Sequence, residues 1–242
     1  YTIAPDGGEA VRWFTIRRAV TWIRQLDEDR FVVLTRWDPT TETTDATDRA
    51  ASASARSGDD PSSSVHVFDG APIWSNGVGF VHGARVRLGL FNAGTGELTD
   101  LTGATFGVGA AALAPDRERV ALTGSEFERL YRPENRLFCC DLGSVARGDG
   151  SVVDLAQADG LPEGYYSNPA FTRDDTLLFG FADRAEHGLN TSAQIYRLGL
   201  SGTRGSGIAE KLTSEPEIRF GSNTVGSDVR LGTPSAVPAV SA

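Results

Sequence analysis

The residues able to do chemistry are few and scattered along the chain. His66, His82 and His187 stand far apart, without the close spacing that zinc ligation favours. Each reads as a single satisfied or exposed side chain. The serines set among glycines are Ser206, in Gly205-Ser206-Gly207, and Ser227, in Gly226-Ser227-Asp228. Neither belongs to the G-x-S-x-G pentapeptide that lifts a hydrolase serine onto a strand-to-helix turn, and that pentapeptide occurs nowhere in the sequence. The glycine-rich run from Gly202 to Gly207 has no P-loop lysine and no following helix, so it is not read as a phosphate cradle. Cys139 and Cys140 are adjacent; on a strand they point to opposite faces and cannot pair without severe strain. They read as two buried thiols in a reducing cytoplasm. The sequence therefore offers no catalytic residue, no cofactor-binding residue and no metal ligand.

Recognition is the remaining chemistry. The stretch from Ser125 to Asn135, SEFERLYRPEN, brings Glu126, Glu128, Arg129, Tyr131, Arg132 and Glu134 together just after an apolar run. A charged, aromatic loop at the end of a strand can contact a peptide or dock a neighbouring domain; the plainer reading is a solvated loop. A second loop, Ala182 to Asn190, holds the matching place one unit later, which favours a positional meaning over a specific chemical one.

Composition narrows the partners. Acidic residues outnumber basic ones 32 to 23, for a formal charge of -9. That argues against a nucleic-acid partner, which needs a basic surface. Lys211 is the only lysine and aspartate is abundant, the profile of a protein dissolved in concentrated salt, where carboxylates stay hydrated and their repulsion is screened. A GC-rich genome yields the same bias. No signal peptide or membrane-spanning run is visible, because the apolar stretches are strand-length; a cytoplasmic location is expected. The sequence holds no methionine, so it is expected to start inside a larger product or after processing.

The elements that must carry these residues follow from a repeated phrase. LAPDRERVALTGSE (Leu113 to Glu126) reads as strand, turn, strand, and it returns as AFTRDDTLLFGFAD (Ala170 to Asp183) and earlier as RQLDEDRFVVLTRW (Arg24 to Trp37). A second hairpin follows each copy and closes on a leucine: LGLFNAGTGELTDLT, then RLFCCDLGSVARGDGSVVDLA, then QIYRLGLSGTRGSGIAEKLT. Leu101, Leu155 and Leu212 lie 54 and 57 residues apart, and Asp116 and Asp174 lie 58 apart. Two hairpins per period make four antiparallel strands, the content of one propeller blade. The expected fold is all-β: an incomplete β-propeller over residues 1–232, with about four blades and partial blades at both ends. The N-terminal YTIAPDGGEAVRWFT reads as a further hairpin turning on Pro-Asp-Gly-Gly. Residues 40–64 are small, polar and acidic, and read as a disordered insert. Residues 233–242 form a low-complexity tail.

The order of these segments resembles the β-propeller of the prolyl oligopeptidase family, in its acylaminoacyl-peptidase-like and dipeptidyl-peptidase-like branch. The residues that carry the likeness are Val65 to Phe68, WSNGVGFVHG (Trp74 to Gly83), the LGLFNAGTGELTDLT hairpin and APDRERVALTGSE. The family's S-P-D-G turn appears here as D-E-D-R, A-P-D-R and R-D-D-T, without its glycine. The resemblance implies a propeller that covers an α/β-hydrolase domain and admits only short peptides to its Ser-Asp-His triad. That triad belongs to a domain this sequence does not reach, so none of its residues carries over. The implied partners are a peptide substrate and the hydrolase domain. Two other readings stay open: a stand-alone Tol-type propeller that binds proteins, and a propeller enzyme with its own pore-facing carboxylates.

Overall fold

The computed structural model describes residues 1–38, 70–75, 79–80, 83–131, 134–148, 152–155, 159–186, 188 and 191–213. The expected insert 40–64, the tail 233–242 and the segment 214–232 lie outside the described residues.

Each copy of the repeated phrase folds as an antiparallel hairpin. In the first, β1 (Val20–Gln25) pairs with β2 (Arg30–Trp37). The brief ribbon β3 (Trp74–Ser75) and β4 (Gly79–Phe80) comes next, and then β5 (Arg85–Asn92) and β6 (Glu97–Asp100) complete a sheet of order β1-β2-β5-β6. The second unit holds β7 (Phe106–Leu113), β8 (Arg119–Glu126), β9 (Arg136–Asp141) and β10 (Val153–Asp154), hydrogen-bonded in that sequence. The third holds β11 (Tyr165–Phe171), β12 (Thr176–Ala182) and β13 (Gln194–Ser201), with β14 (Arg204–Gly205) and β15 (Glu210–Lys211) both on β13. The chain is thus all-β in sequentially wound antiparallel sheets. Three units stand among the described residues, two of four strands and one of five; the rest of the expected count of about four blades with partial blades falls on residues outside them.

Alternation along the strands explains the stacking. Val32, Leu34 and Leu88 of the first sheet meet Val120, Leu122, Phe138 and Cys140 of the second in one apolar layer. The opposite face of the second sheet puts Ala121, Leu137 and Cys139 against Leu177, Phe179, Phe181 and Leu198 of the third. Neighbouring cysteines therefore serve two different interfaces, as strand geometry requires. On the far side of the first sheet, Phe31, Val33 and Phe91 are covered by Phe14 and Ile16 from the N-terminal segment.

Two local expectations are corrected. The connection from β9 to β10 is not a simple turn but contains the helix α1 (Leu142–Arg147). Asp141 caps it by accepting a hydrogen bond from the Ser144 N–H, and Gly148 ends it in the left-handed region at φ 79°. The N-terminal hairpin reduces to one bridge between Thr2 and Val11. Gly7 and Gly8 do take the positive φ of a turn, but Ile3 and Val11 are exposed, so no buried face extends the pairing.

The closing leucine has a structural reason. The Leu101 N–H donates to the Leu88 carbonyl, and the neighbouring Thr102 Oγ1 accepts from the Leu88 N–H. Leu212 and Thr213 treat Ile195 identically. The Leu-Thr pair thus extends the last strand's pairing by one residue, using a side chain in place of a backbone carbonyl.

Candidate functional site

Strand direction places the connections at two ends of the stack. At one end lie the hairpin turns of the repeated phrase. At the other lie the end of the second strand and the start of the third in each unit, with the described residues 127–131, 134–135 and 183–186 beside them. The expected docking loop is the one after β8.

Its approach is built from Glu126 at the end of β8, whose Oε1 accepts from Thr105 Oγ1 at 2.8 Å. Phe127 then folds back and stacks edge-on against Tyr131, with ring centroids 5.2 Å apart. Arg85, the first residue of β5, secures the turn from the neighbouring sheet. Its guanidinium lies 4.3 Å over the Phe127 ring. One terminal nitrogen donates to the Ala104 carbonyl at 2.7 Å, and the other to the carbonyls of Phe127 and Glu128 at 2.6 and 2.8 Å. Burial, with the nearby Arg87, holds the Arg85 pKa below its ordinary value. A cation held by three backbone carbonyls is a structural clamp, although its buried Nε has no hydrogen-bond partner among the described residues.

The far end of the loop is clamped to the third sheet. Asn135 is buried, and its amide donates to the Tyr166 carbonyl and accepts from the Tyr166 N–H, both at 2.6 Å. The side chain thereby mimics a strand residue and extends the edge of β11. Tyr131 is brought near Tyr165, Arg184 and Glu134; burial, then Tyr165, pushes its hydroxyl pKa up, while Arg184 opposes the rise. Arg184 itself lies 4.1 Å over the Tyr165 ring.

A third contact comes from residues that precede β3. The Ala71 N–H donates to the Arg129 carbonyl, and the Tyr131 N–H donates to the Ala71 carbonyl, both within 2.9 Å. This forms a parallel bridge between Ala71 and Leu130. Gly70 is required for it, since a Cβ there would lie 2.6 Å from the Arg129 oxygen.

Of the six residues expected to form the loop surface, Glu126, Glu128, Arg129, Tyr131 and Glu134 are exposed at this end. Arg132 lies outside the described residues. Sequence reasoning missed Arg85, Asn135 and Ala71, which hold the loop. It also missed the apolar members beside it: Ile73, Trp74 and Leu130 are 47, 57 and 68% exposed. The leucine inside SEFERLYRPEN was the available signal.

Nothing in this arrangement supplies a nucleophile with a base. The three histidines and Ser227 fall outside the described residues, and Ser206 is held in a backbone pairing with Gly199. Among the described residues no three of His, Cys, Asp and Glu gather as a metal site, and no helix is long and apolar enough to cross a membrane. Burial pushes both thiols up to about 12, so neither is a nucleophile at neutral pH. A cavity of about 250 Å³ opens beside Leu161, Pro162, Tyr196 and Ile208. Its rear wall is Tyr166 and Phe179, both 1% exposed, so it presents little ring surface to a ligand. The loop end of the stack is the better candidate.

No family model matches the chain, and no curated protein matches it. Solved structures similar to it include TolB from Acinetobacter baumannii, at 21% identity over 57% of this chain and 29% of that one, with a TM-score of 0.39. A puromycin-hydrolyzing peptidase of Mycobacterium tuberculosis aligns at 15% identity over 81% of this chain and 20% of its own, with a TM-score of 0.42. An acylaminoacyl peptidase from Pyrococcus horikoshii aligns at 10% identity over 81% of this chain and 32% of its own, with a TM-score of 0.35. The chain thus spans between a fifth and a third of the length of these three structures.

Proposed function

We propose that this chain is the propeller portion of a cytoplasmic serine peptidase of the prolyl oligopeptidase type. It would be non-catalytic by itself, docking on an α/β-hydrolase domain and limiting entry to short peptides. The observation that carries the reading is the repeated unit: consecutive antiparallel sheets of four or five strands, wound in sequence order and stacked through apolar faces, are the construction of propeller blades. The segment order from Val65 to Glu126 supports the choice of family. The exposed loop after β8, held by Arg85 and Asn135, is consistent with a docking role.

A fluorophosphonate probe applied to the product of the longer reading frame tests this. The expected result is covalent labelling of a serine outside residues 1–242, together with a preference for short over long peptides that is lost when this portion is excised. Absence of labelling overturns the peptidase reading, and a chain that still captures protein partners would then fit the Tol-type alternative.

A further inference from the structure

The far face of the first sheet is covered by something other than a sheet. Phe31, Val33 and Phe91 are buried there beneath Phe14 and Ile16, and the Trp13 ring lies 5.4 Å from that of Phe31. Phe14 packs on Phe31 and Phe91 with ring centroids 4.8 and 5.2 Å apart. Along residues 13–18 the side chains alternate: Trp13, Thr15 and Arg17 are exposed, while Phe14, Ile16 and Arg18 are half-buried. A period of two marks an extended strand with one face on a core. Yet residues 13–17 make no hydrogen bond with any described residue.

The segment is anchored at one end. Where it joins β1, the Arg18 guanidinium pairs with Asp100 of β6 at 2.6 Å, and the Ala19 carbonyl accepts from the Arg36 N–H. Asp100 is itself fixed by Arg87 at 2.8 Å. In the other direction residues 1–13 are all exposed, and the bridge between Thr2 and Val11 joins that stretch to itself. The other two apolar layers are built differently, since there whole hydrogen-bonded sheets meet. Lifting the cover from Phe31 therefore breaks side-chain contacts and no ladder. Few buried contacts and an unpaired backbone are what let a segment open locally, at lower cost than global unfolding.

We propose that Trp13 to Ile16 form a strap that swings off the first sheet about Arg18, separately from global unfolding, and so opens and closes an apolar sheet face. Arg17 and Arg18 lie in a bend, which supplies the pivot. Shut, the strap keeps Phe31, Val33 and Phe91 from water. Open, it bares those three side chains while the pairing of β1, β2 and β5 stays intact. The device does not depend on the peptidase reading.

The test places a thiol beneath the strap with Val33→Cys and follows iodoacetamide labelling of the whole chain by peptide mass mapping. Cys139 and Cys140, buried between the sheets, are internal references. Without urea the introduced thiol is expected to react at least tenfold faster than either reference, and at least tenfold slower than in an unfolded peptide. Its rate should stay nearly flat in low urea, where theirs climb steeply. Phe14→Ala should quicken it at least fivefold. Leu88→Ala, which loosens the layer between the first and second sheets, should quicken Cys140 and leave the introduced thiol unchanged. Circular dichroism checks that each variant is folded; if Val33→Cys fails to fold, Ala93→Cys in the same cluster takes its place. One shared rate and urea dependence for all three thiols overturns the proposal, because the segment would then leave only with the whole fold. So does labelling of the introduced thiol at the unfolded peptide's rate, which would mean that no cover is closed. Equal acceleration of all three thiols by Leu88→Ala overturns it as well.

Discussion

Arg119 joins neighbouring units from a buried position. It is buried, and its guanidinium holds Asp116 of its own turn, Asp175 of the next unit's turn and the carbonyl of Gly202. One arginine thus holds two carboxylates and a backbone carbonyl from two sheets. The carboxylates are partly exposed, at 34 and 51%, so solvent screens the ionic part. The larger cost of removal is the unpaired Gly202 carbonyl and the lost packing of the buried stem. Arg119→Ala is expected to lower stability by about 2 kcal/mol, read as a shift in urea midpoint at unchanged slope. Lysine should recover only part of that, because it lacks the planar fork. An unchanged midpoint would show the two turns to be independent. The same turn makes a pH prediction. Burial raises the Asp116 pKa, but hydrogen bonds from the Glu118 N–H and the Arg119 side chain outweigh it, so the carboxyl sits below its ordinary value. A depressed carboxylate contributes its stability above about pH 4 and loses it as pH falls through the folded pKa. Asp116→Asn should therefore narrow the gap between urea midpoints at pH 7 and pH 3.

At the scale of elements, each unit is closed by a short last strand and a leucine. Thr102 Oγ1 accepts from a buried backbone N–H, so Thr102→Val should cost about 1–3 kcal/mol by leaving that donor unsatisfied. Thr213 makes the same bond at the open edge beside the exposed Leu212, where water can substitute; Thr213→Val should cost clearly less. Comparing the two by thermal unfolding tests whether the motif's worth depends on a neighbouring sheet. Cys139 and Cys140 report on the sheets separately. Leu88→Ala opens a cavity between the first and second sheets, costing about 3 kcal/mol. In mild urea it should make Cys140 react with iodoacetamide ahead of Cys139, since only Cys140 faces that layer. Peptide mass mapping reads the order, and simultaneous labelling would mean that the stack opens as one unit. The cysteine placement was legible in advance because strand alternation is local and rigid. The hairpins of the repeated phrase were legible for the same reason. Helix α1 was not, since six residues between two strands carry no periodic signal and only the Asp141 and Gly148 caps declare it. The loop after β8 was legible as a run of charges, but the exposed Ile73 and Trp74 beside it were not. Ala71 and Leu130 are distant in sequence, and no local pattern reveals that Gly70 lets their backbones meet.

At the scale of the whole molecule, the apolar layers between sheets must overcome a surplus of negative charge. Formal charge is -9, and self-repulsion of that kind weakens the compact state. Salt shortens the reach of this repulsion from about 10 Å at 0.1 M to about 3 Å at 1 M. It also weakens favourable pairs, but the exposed ones, Arg30 with Asp27 and Arg197 with Glu210, are each worth at most about 1 kcal/mol. The pair with the least exposed partners, Arg87 with Asp100, is shielded at 10 and 20% exposure and responds less. Repulsion therefore dominates the balance, and the urea midpoint is expected to rise as KCl goes from 0.1 to 1 M at pH 7. Potassium chloride is the appropriate salt, because sulfate strengthens apolar burial in almost any protein. The decisive control is pH. Near the pI of about 4.9 the surplus charge is gone, while carboxylates held low by hydrogen bonds, such as Asp116 and Asp141, stay ionised. If net repulsion is the cause, the gain from KCl should disappear there. A gain of equal size at both pH values would assign the effect to the apolar layers instead. A midpoint that falls with KCl at pH 7 would show the ion pairs to outweigh the surplus charge, and with it would go any adaptation of this surface to salt.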